Sequence, residues 1–243
     1  MSQPNQAYSA NLLIQAMSPE DLALLEPKFE RVDLEVEQVL DDADQAIEYI
    51  YFPEGGIVSL VASGPDTSRT EVGIFGRDGV SGTAALLGTD RASTETFVQV
   101  DGTTALRVHV DDYRAAIEAS PSLNALLLRY VQAALAQSVY STMSNAHHNI
   151  EARLARWLLM CHDRLDSDDI KLTHEFMSMM IAAQRSGVTV CLHILEGNGM
   201  IRSRRSLVTI LDREKLIDLA GDAYGKPEAE YRRLIGPFGH PSS

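Results

Sequence analysis

At 243 residues, with 45% hydrophobic and 23% charged side chains, the chain has an ordinary globular make-up with room for two cores. No apolar run approaches the ~18 residues a membrane span needs, and two cysteines, Cys161 and Cys191, exclude a disulfide framework and a cysteine-held metal cluster. The net charge of −13 argues against a polyanionic partner for the chain as a whole, but it is unevenly spread. Residues 1–120 carry 7 Lys/Arg against 21 Asp/Glu, residues 121–243 carry 14 against 13, and the window 171–205 holds Lys171, Arg185, Arg202, Arg204 and Arg205 against only Glu175 and Glu196.

In chain order, residues 1–10 read as loose, polar and without a signal-peptide pattern, which makes a cytoplasmic location the default expectation. NLLIQAMSPEDLALLEPKFERV then reads as short helices, with Ser18-Pro19 as a start signal. From Arg31 to about Val110 the pattern turns to strands: RVDLEVEQVL, AIEYIYF, GIVSLVAS, RTEVGIFG, TETFVQV and TALRVHV. Turn residues at Pro53–Gly56, Gly64-Pro65-Asp66, Arg77-Asp78-Gly79 and Asp101-Gly102 separate them, which predicts a small barrel or roll. Asp111 and Asp112 suit the cap and dipole of a brief helix that ends near Pro121. A helix of about 25 residues without glycine or proline follows, striped by Leu123, Leu127, Tyr130, Ala134, Leu135 and Ser138; a second copy of itself is the simplest partner for that stripe. Asn149–Leu165 predicts a further helix with Ile150, Leu154, Trp157, Leu158 and Cys161 on one face. His147, His148 and Glu151 read as a solvated hinge before it, and no metal site is expected.

The stretch QRSGVTVCLHILEGNGMI, 184–201, sets propensity against spacing. Its β-branched run favours a strand, yet Val188, Cys191, Leu192 and Leu195 fall at i, i+3, i+4 and i+7, one stripe of a helix, with Gly197 and Gly199 as stop signals. The opposite stripe offers Ser186, Thr189, Val190 and His193 outward, and Gly187 would let the helix approach something closely. Thr173 caps a preceding helix on which Phe176, Met179 and Met180 face inward. Two short helices joined by a tight turn make a helix-turn-helix. Behind them MIRS and SLVTIL bracket Arg204-Arg205 as a two-stranded basic wing, fit to hold phosphates beside a groove.

This order, ending in LTHEFMSMMIAAQRSGVTVCLHILEGNGMI, resembles the Crp/Fnr superfamily of transcription regulators over about residues 12–220. The resemblance implies an α+β chain with a cyclic-nucleotide-binding-like β-roll at 12–120, a dimerisation helix at 121–146 and a winged helix-turn-helix at 149–220. It also implies a homodimer on palindromic double-stranded DNA, with RNA polymerase as a further partner and no enzymatic activity. The family's base-reading positions fall on Arg185, Ser186 and Val190, to which the outward stripe adds Thr189 and His193. Lys171, Thr173, Gln184, Arg202, Arg204 and Arg205 are the candidate phosphate contacts. Ser186 and Val190 depart from the family's usual pattern, which points to a different operator. An effector pocket would fall at Gly82, Thr83, Arg91, Ala92 and Ser93. Thr83 stands where the family's nucleotide-binding members carry a ribose-binding glutamate, so no cyclic nucleotide and no other cofactor is expected. The competing reading is a sensor or interaction module whose winged helix binds protein and not DNA.

Overall fold

The structure, a computed structural model, describes residues 8–64, 69–100 and 103–240, leaving aside the His174 side chain. The expected turns at Pro65-Asp66 and Asp101-Gly102, and most of the loose amino-terminal stretch, lie outside the described residues. Helix α1 (Leu12–Gln15) starts where Asn11 Oδ1 accepts from the Leu13 and Ile14 N–H groups, and α2 (Pro19–Leu25) is capped by Ser18. The Asn11 amide also donates to the Pro53 and Gly79 carbonyls, each at 2.8 Å, pinning these helices to two turns of the roll.

The run expected as one strand from Arg31 breaks in two, β1 (Glu30–Leu34) and β2 (Val39–Asp41). Glu37 takes φ 67° in the turn between them, and the chain there passes from one sheet to the other. Five more strands follow, β3 (Tyr49–Pro53), β4 (Ile57–Ser63), β5 (Arg69–Phe75), β6 (Glu95–Val100) and β7 (Thr103–His109), with the short helix α3 (Thr83–Leu86) between β5 and β6. They form two antiparallel sheets, β1-β7-β3 and β2-β6-β4-β5. Inward alternation places Ile50, Phe52, Leu106 and Val108 under the helices.

Helix α4 (Val110–Ala119) is capped by His109 Nδ1, which accepts from the Asp111 N–H; Asp111 and Asp112 sit in the first turn, where the dipole favours them, but neither is the cap. Helix α5 (Pro121–His147) lies along the roll. Leu123, Leu127 and Tyr130, expected to face a second copy, are buried against Phe52, Val108 and Tyr113 of the same chain. The outward face carries a different set: Ala125, Leu128, Gln132, Leu135, Val139, Thr142 and Ala146 are exposed, at alternating spacings of three and four.

Helix α6 (Ile150–His162) is capped by Asn149, and every residue from Ala152 to Arg164 except Arg153 is buried, because other elements enclose it all round. The carboxy-terminal unit continues with β8 (Asp169–Ile170), α7 (His174–Met180), α8 (Arg185–Gly197), β9 (Ile201–Arg204), β10 (Leu207–Ile210) and α9 (Arg213–Ala220). Beyond residue 220, past the expected domain, α10 (Lys226–Leu234) folds back along α5; Tyr231 and Phe238 enter the core of the roll, and the Tyr231 hydroxyl donates to the Asp78 carbonyl at 2.8 Å. The two halves share apolar packing as well. Ile57, Ile74 and Val100 of the roll belong to one cluster with Trp157, Leu158, Met180 and Val188, and Trp157 Nε1 donates across the junction to Glu71 Oε1 at 2.9 Å.

Candidate nucleic-acid interface

Helix α7 starts at Thr173, whose hydroxyl accepts from the Phe176 N–H at 3.2 Å, and it ends in a turn where Ala182 takes φ 48°. That conformation costs a residue with a Cβ roughly 1 kcal/mol, and it swings the chain sharply into α8. Burial decides the conflict between propensity and spacing in α8: Val188, Cys191, Leu192 and Leu195 are at most 3% exposed, packed in the cluster that holds Trp157 and Met177. Four buried apolar side chains at about 1.5–3 kcal/mol each outweigh the few tenths by which each β-branched residue disfavours a helix.

The opposite face of α8 is open. Arg185, Ser186, Val190 and His193 are exposed, and Ile194, not singled out from the sequence, stands beside them at 41% exposure. Ile194 follows Val190 by four positions, so the helical period alone would have found it. Thr189 is half-buried, and its hydroxyl donates back to the Arg185 carbonyl at 3.1 Å, which leaves its methyl and not a free hydroxyl as its outward chemistry. The close approach expected of Gly187 is intramolecular: a Cβ there would lie 3.1 Å from Ile150 Cδ1 of α6.

Strands β9 and β10 pair antiparallel, Ile201 opposite Ile210 and Arg204 opposite Leu207, and β8 adds a third strand on the far side of β10. Ile201, Val208 and Ile210 are buried, while Arg202, Arg204 and Arg205 project into solvent at the free edge and tip. Ser206, at φ 57°, closes the tip. Glu196 Oε1 accepts from the Ser203 N–H at 3.0 Å, so the end of α8 and the wing are held to each other. Among the described residues none of Arg185, Arg202, Arg204 and Arg205 has a carboxylate partner. Lys171, Thr173 and Gln184 are also exposed, and Gln184 stands at the N-cap of α8 without a side-chain capping bond.

The residues assigned to an effector pocket are only partly together. Gly82, Thr83, Ala92 and Ser93 line a cavity of about 230 Å³ between the roll and the inner face of α5. Arg91 does not: its guanidinium donates to the Asp44 carbonyl at 3.1 Å and lies near Asp90, with the side chain 61% exposed. Its backbone forms an isolated antiparallel bridge with Ala46. Both cysteines are buried, and burial raises the Cys191 thiol to about 11, a packed and inert group. His148 pairs with Asp222 at 3.0 Å and not with its sequence neighbour Glu151. No helix among the described residues is long and apolar enough to cross a membrane.

Residues 152–219 match the family model of the Crp-like helix-turn-helix domain. A search of curated proteins finds no significant match. Among solved structures the chain is similar to FixK2 from Bradyrhizobium japonicum, with a TM-score of 0.69 at 16% identity over 79% of this chain and 98% of that one. It is also similar to a CRP-family transcriptional regulator from Thermus thermophilus, with a TM-score of 0.66 at 19% identity over 79% and 96%. Likeness at such identities is likeness of fold, and it covers the roll as well as the helix-turn-helix. Residues 152–219 thus carry a Crp-like helix-turn-helix domain, and the chain as a whole, with the β-roll in front of that domain, shares the fold of these structures.

Proposed function

We propose that this regulator binds a palindromic DNA site as a homodimer, with α8 of each protomer in a major groove and the half-sites about one helical turn apart. One observation carries the reading: the outward stripe of α8 opens with Arg185 and lies beside three wing arginines that have no carboxylate partner among the described residues. Arg185 suits a guanine edge, which offers two acceptors; Val190 and the Thr189 methyl suit a thymine methyl; Ser186 adds one adaptable hydrogen bond. Arg202, Arg204 and Arg205 suit phosphates on either side of the groove. The exposed stripe of α5, with Leu128 at 43%, Leu135 at 56% and Val139 at 57% exposure, supports pairing of two copies, since its three-and-four spacing is that of a coiled-coil seam.

Selection of genomic fragments by the purified chain tests the partner class and yields the operator together. A palindrome is the expected product. On it, Arg185→Ala should cost about 1–3 kcal/mol and relax the choice at one base pair of each half-site, while Arg204→Ala with Arg205→Ala should weaken every sequence alike and flatten the salt dependence by about one unit per lost phosphate contact. Equal loss on all sequences from Arg185→Ala would contradict its role. Selection that returns no DNA, together with salt-insensitive capture of a protein, would favour the winged helix as a protein-binding surface.

A further inference from the structure

The family's nucleotide-binding members place a cyclic phosphate inside the β-roll, and the cavity here does not fit one. No lysine, arginine or histidine lines it, and its one charged side chain is the carboxylate of Asp41. Arg91 is turned away. A phosphate in this space would meet a like charge in a medium of low dielectric with nothing to neutralise it, which is unfavourable by several kcal/mol.

The same carboxylate points to a different occupant. Asp41 is 6% exposed; its Oδ2 accepts from the Gly82 N–H at 3.2 Å, and its Oδ1 accepts from no donor among the described residues. Burial pushes its carboxyl up to about 6 against the Gly82 and Thr96 hydrogen bonds, so at neutral pH it is still mainly ionised. A buried, ionised carboxylate with a spare oxygen and no cation beside it is a costly arrangement unless something pairs with it. The remaining wall is largely apolar, with Leu60, Phe75 and Val80 from the roll and Ala134 from α5. Since an apolar cavity of about 150 Å³ admits benzene, this one has room for roughly ten non-hydrogen atoms.

We infer that the β-roll cavity takes a small organic cation, a primary amine on an apolar body, with the ammonium paired to Asp41 and the body between Phe75, Val80 and Ala134. The inference rests on the β-roll being the sensor half of the regulator and is independent of how α8 meets DNA. Its regulatory route is short: α5 contributes Ala134, Gln137 and Ser138 to the wall, and Gln137 Oε1 accepts from the Ile74 N–H at 2.7 Å, so an occupant touches the helix whose outer face carries the exposed stripe.

The test uses the full chain without DNA and four probes, benzylamine, benzyl alcohol, benzoate and cyclic AMP, read by ligand-detected NMR and by the shift in melting temperature. Benzylamine should bind at least tenfold more tightly than benzyl alcohol, and benzoate and cyclic AMP should not bind. Asp41→Asn, which keeps an oxygen for Gly82, should erase the preference for the amine. Ala134→Leu, which fills the space and leaves Asp41 alone, should weaken benzylamine at least tenfold. Failure of benzylamine to bind, binding of benzoate or cyclic AMP as tightly as the amine, or benzylamine binding that both variants leave unchanged would each overturn the inference. The last of these would mean attraction to the acidic surface, and none of them would touch the DNA-binding reading.

Discussion

Glu71 sits at the junction of the roll and α6, where Trp157 Nε1 donates to its Oε1 and Ser59 Oγ lies 3.0 Å from its Oε2. Ser59 Oγ is also 2.7 Å from Gln99 Oε1, so one serine proton faces two acceptors if Glu71 is ionised. A neutral Glu71 that donates to Ser59 satisfies both contacts, and burial pushes its carboxyl up to about 8. The folded value then lies above the unfolded one, so between about 4.5 and about 8 the folded state holds a proton that the unfolded state lacks. The stabilisation from this site is therefore present at low pH and lost as pH rises through that window, by at most about 1.4 kcal/mol per pH unit. Glu71→Gln, whose amide can donate to Ser59 and accept from Trp157, should match the wild type near pH 5 and exceed it by about 1 kcal/mol or more at pH 8 in urea unfolding; parallel losses in both proteins would refute the neutral acid. Neither Glu71 nor Asp41 was legible in the sequence, because each acquires its character from a partner far along the chain, 86 residues away for Trp157 and 41 for Gly82. Ser186, Val190 and His193 were legible, since a helical period fixes which residues face out together. Thr189 was only half so: the spacing gives its direction but not the bond its hydroxyl makes to the Arg185 carbonyl.

At the scale of elements, α5 shows how one helix can carry two messages. Its larger apolar residues, Leu123, Leu127 and Tyr130, dominate the sequence pattern, and they serve the roll of their own chain. The outer stripe is interrupted by Gln132 and Thr142, so its period is weak by hydrophobicity and emerges only when the inner residues are known to be occupied. The stripe read from sequence joined Leu135, which faces out, to residues that face in. Pairing through the outer stripe predicts that Leu135→Glu with Val139→Glu abolishes the dimer in sedimentation velocity, because four like charges would meet at one seam. The melting temperature of the resulting monomer should fall by only what the lost association supplies, since both side chains are more than half exposed within the chain. A variant that remains dimeric would locate the interface elsewhere. The β-roll strands were legible to within three residues because turn residues bracket them, except where Glu37 at positive φ splits one run between two sheets. Helix α10 was not: it is short and mostly polar, and what makes it structural is the burial of Tyr231 and Phe238 against a surface assembled from the roll and α5.

At the scale of the whole molecule, Arg164 joins three parts of the chain. It is 2% exposed, donates to Asp78 Oδ2 at 2.7 Å and to the Met160 carbonyl at 2.7 Å, and lies over the Phe238 ring at 5.1 Å. The roll, α6 and the carboxy-terminal segment therefore meet at one buried charge. Removing one member of a buried pair leaves the other uncompensated, so Arg164→Ala should cost about 3–5 kcal/mol. Removing Asp78 as well relieves the orphaned carboxylate, and Asp78→Ala/Arg164→Ala should be less destabilised than the sum of the single variants by about 1 kcal/mol or more in chemical unfolding; simple additivity would mean that the pair is not coupled. The same connectivity bears on cooperativity. Ile57, Ile74 and Val100 lie in one apolar cluster with Trp157 and Met180, so the roll cannot lose its packing without exposing the underside of the helix-turn-helix. Calorimetry should accordingly record one transition for the two halves, and Trp157→Ala, which opens the shared cluster at a cost of about 3–5 kcal/mol, should lower that transition for both together. Two well-separated transitions in the wild-type chain would show that the halves unfold independently and that their common packing contributes little.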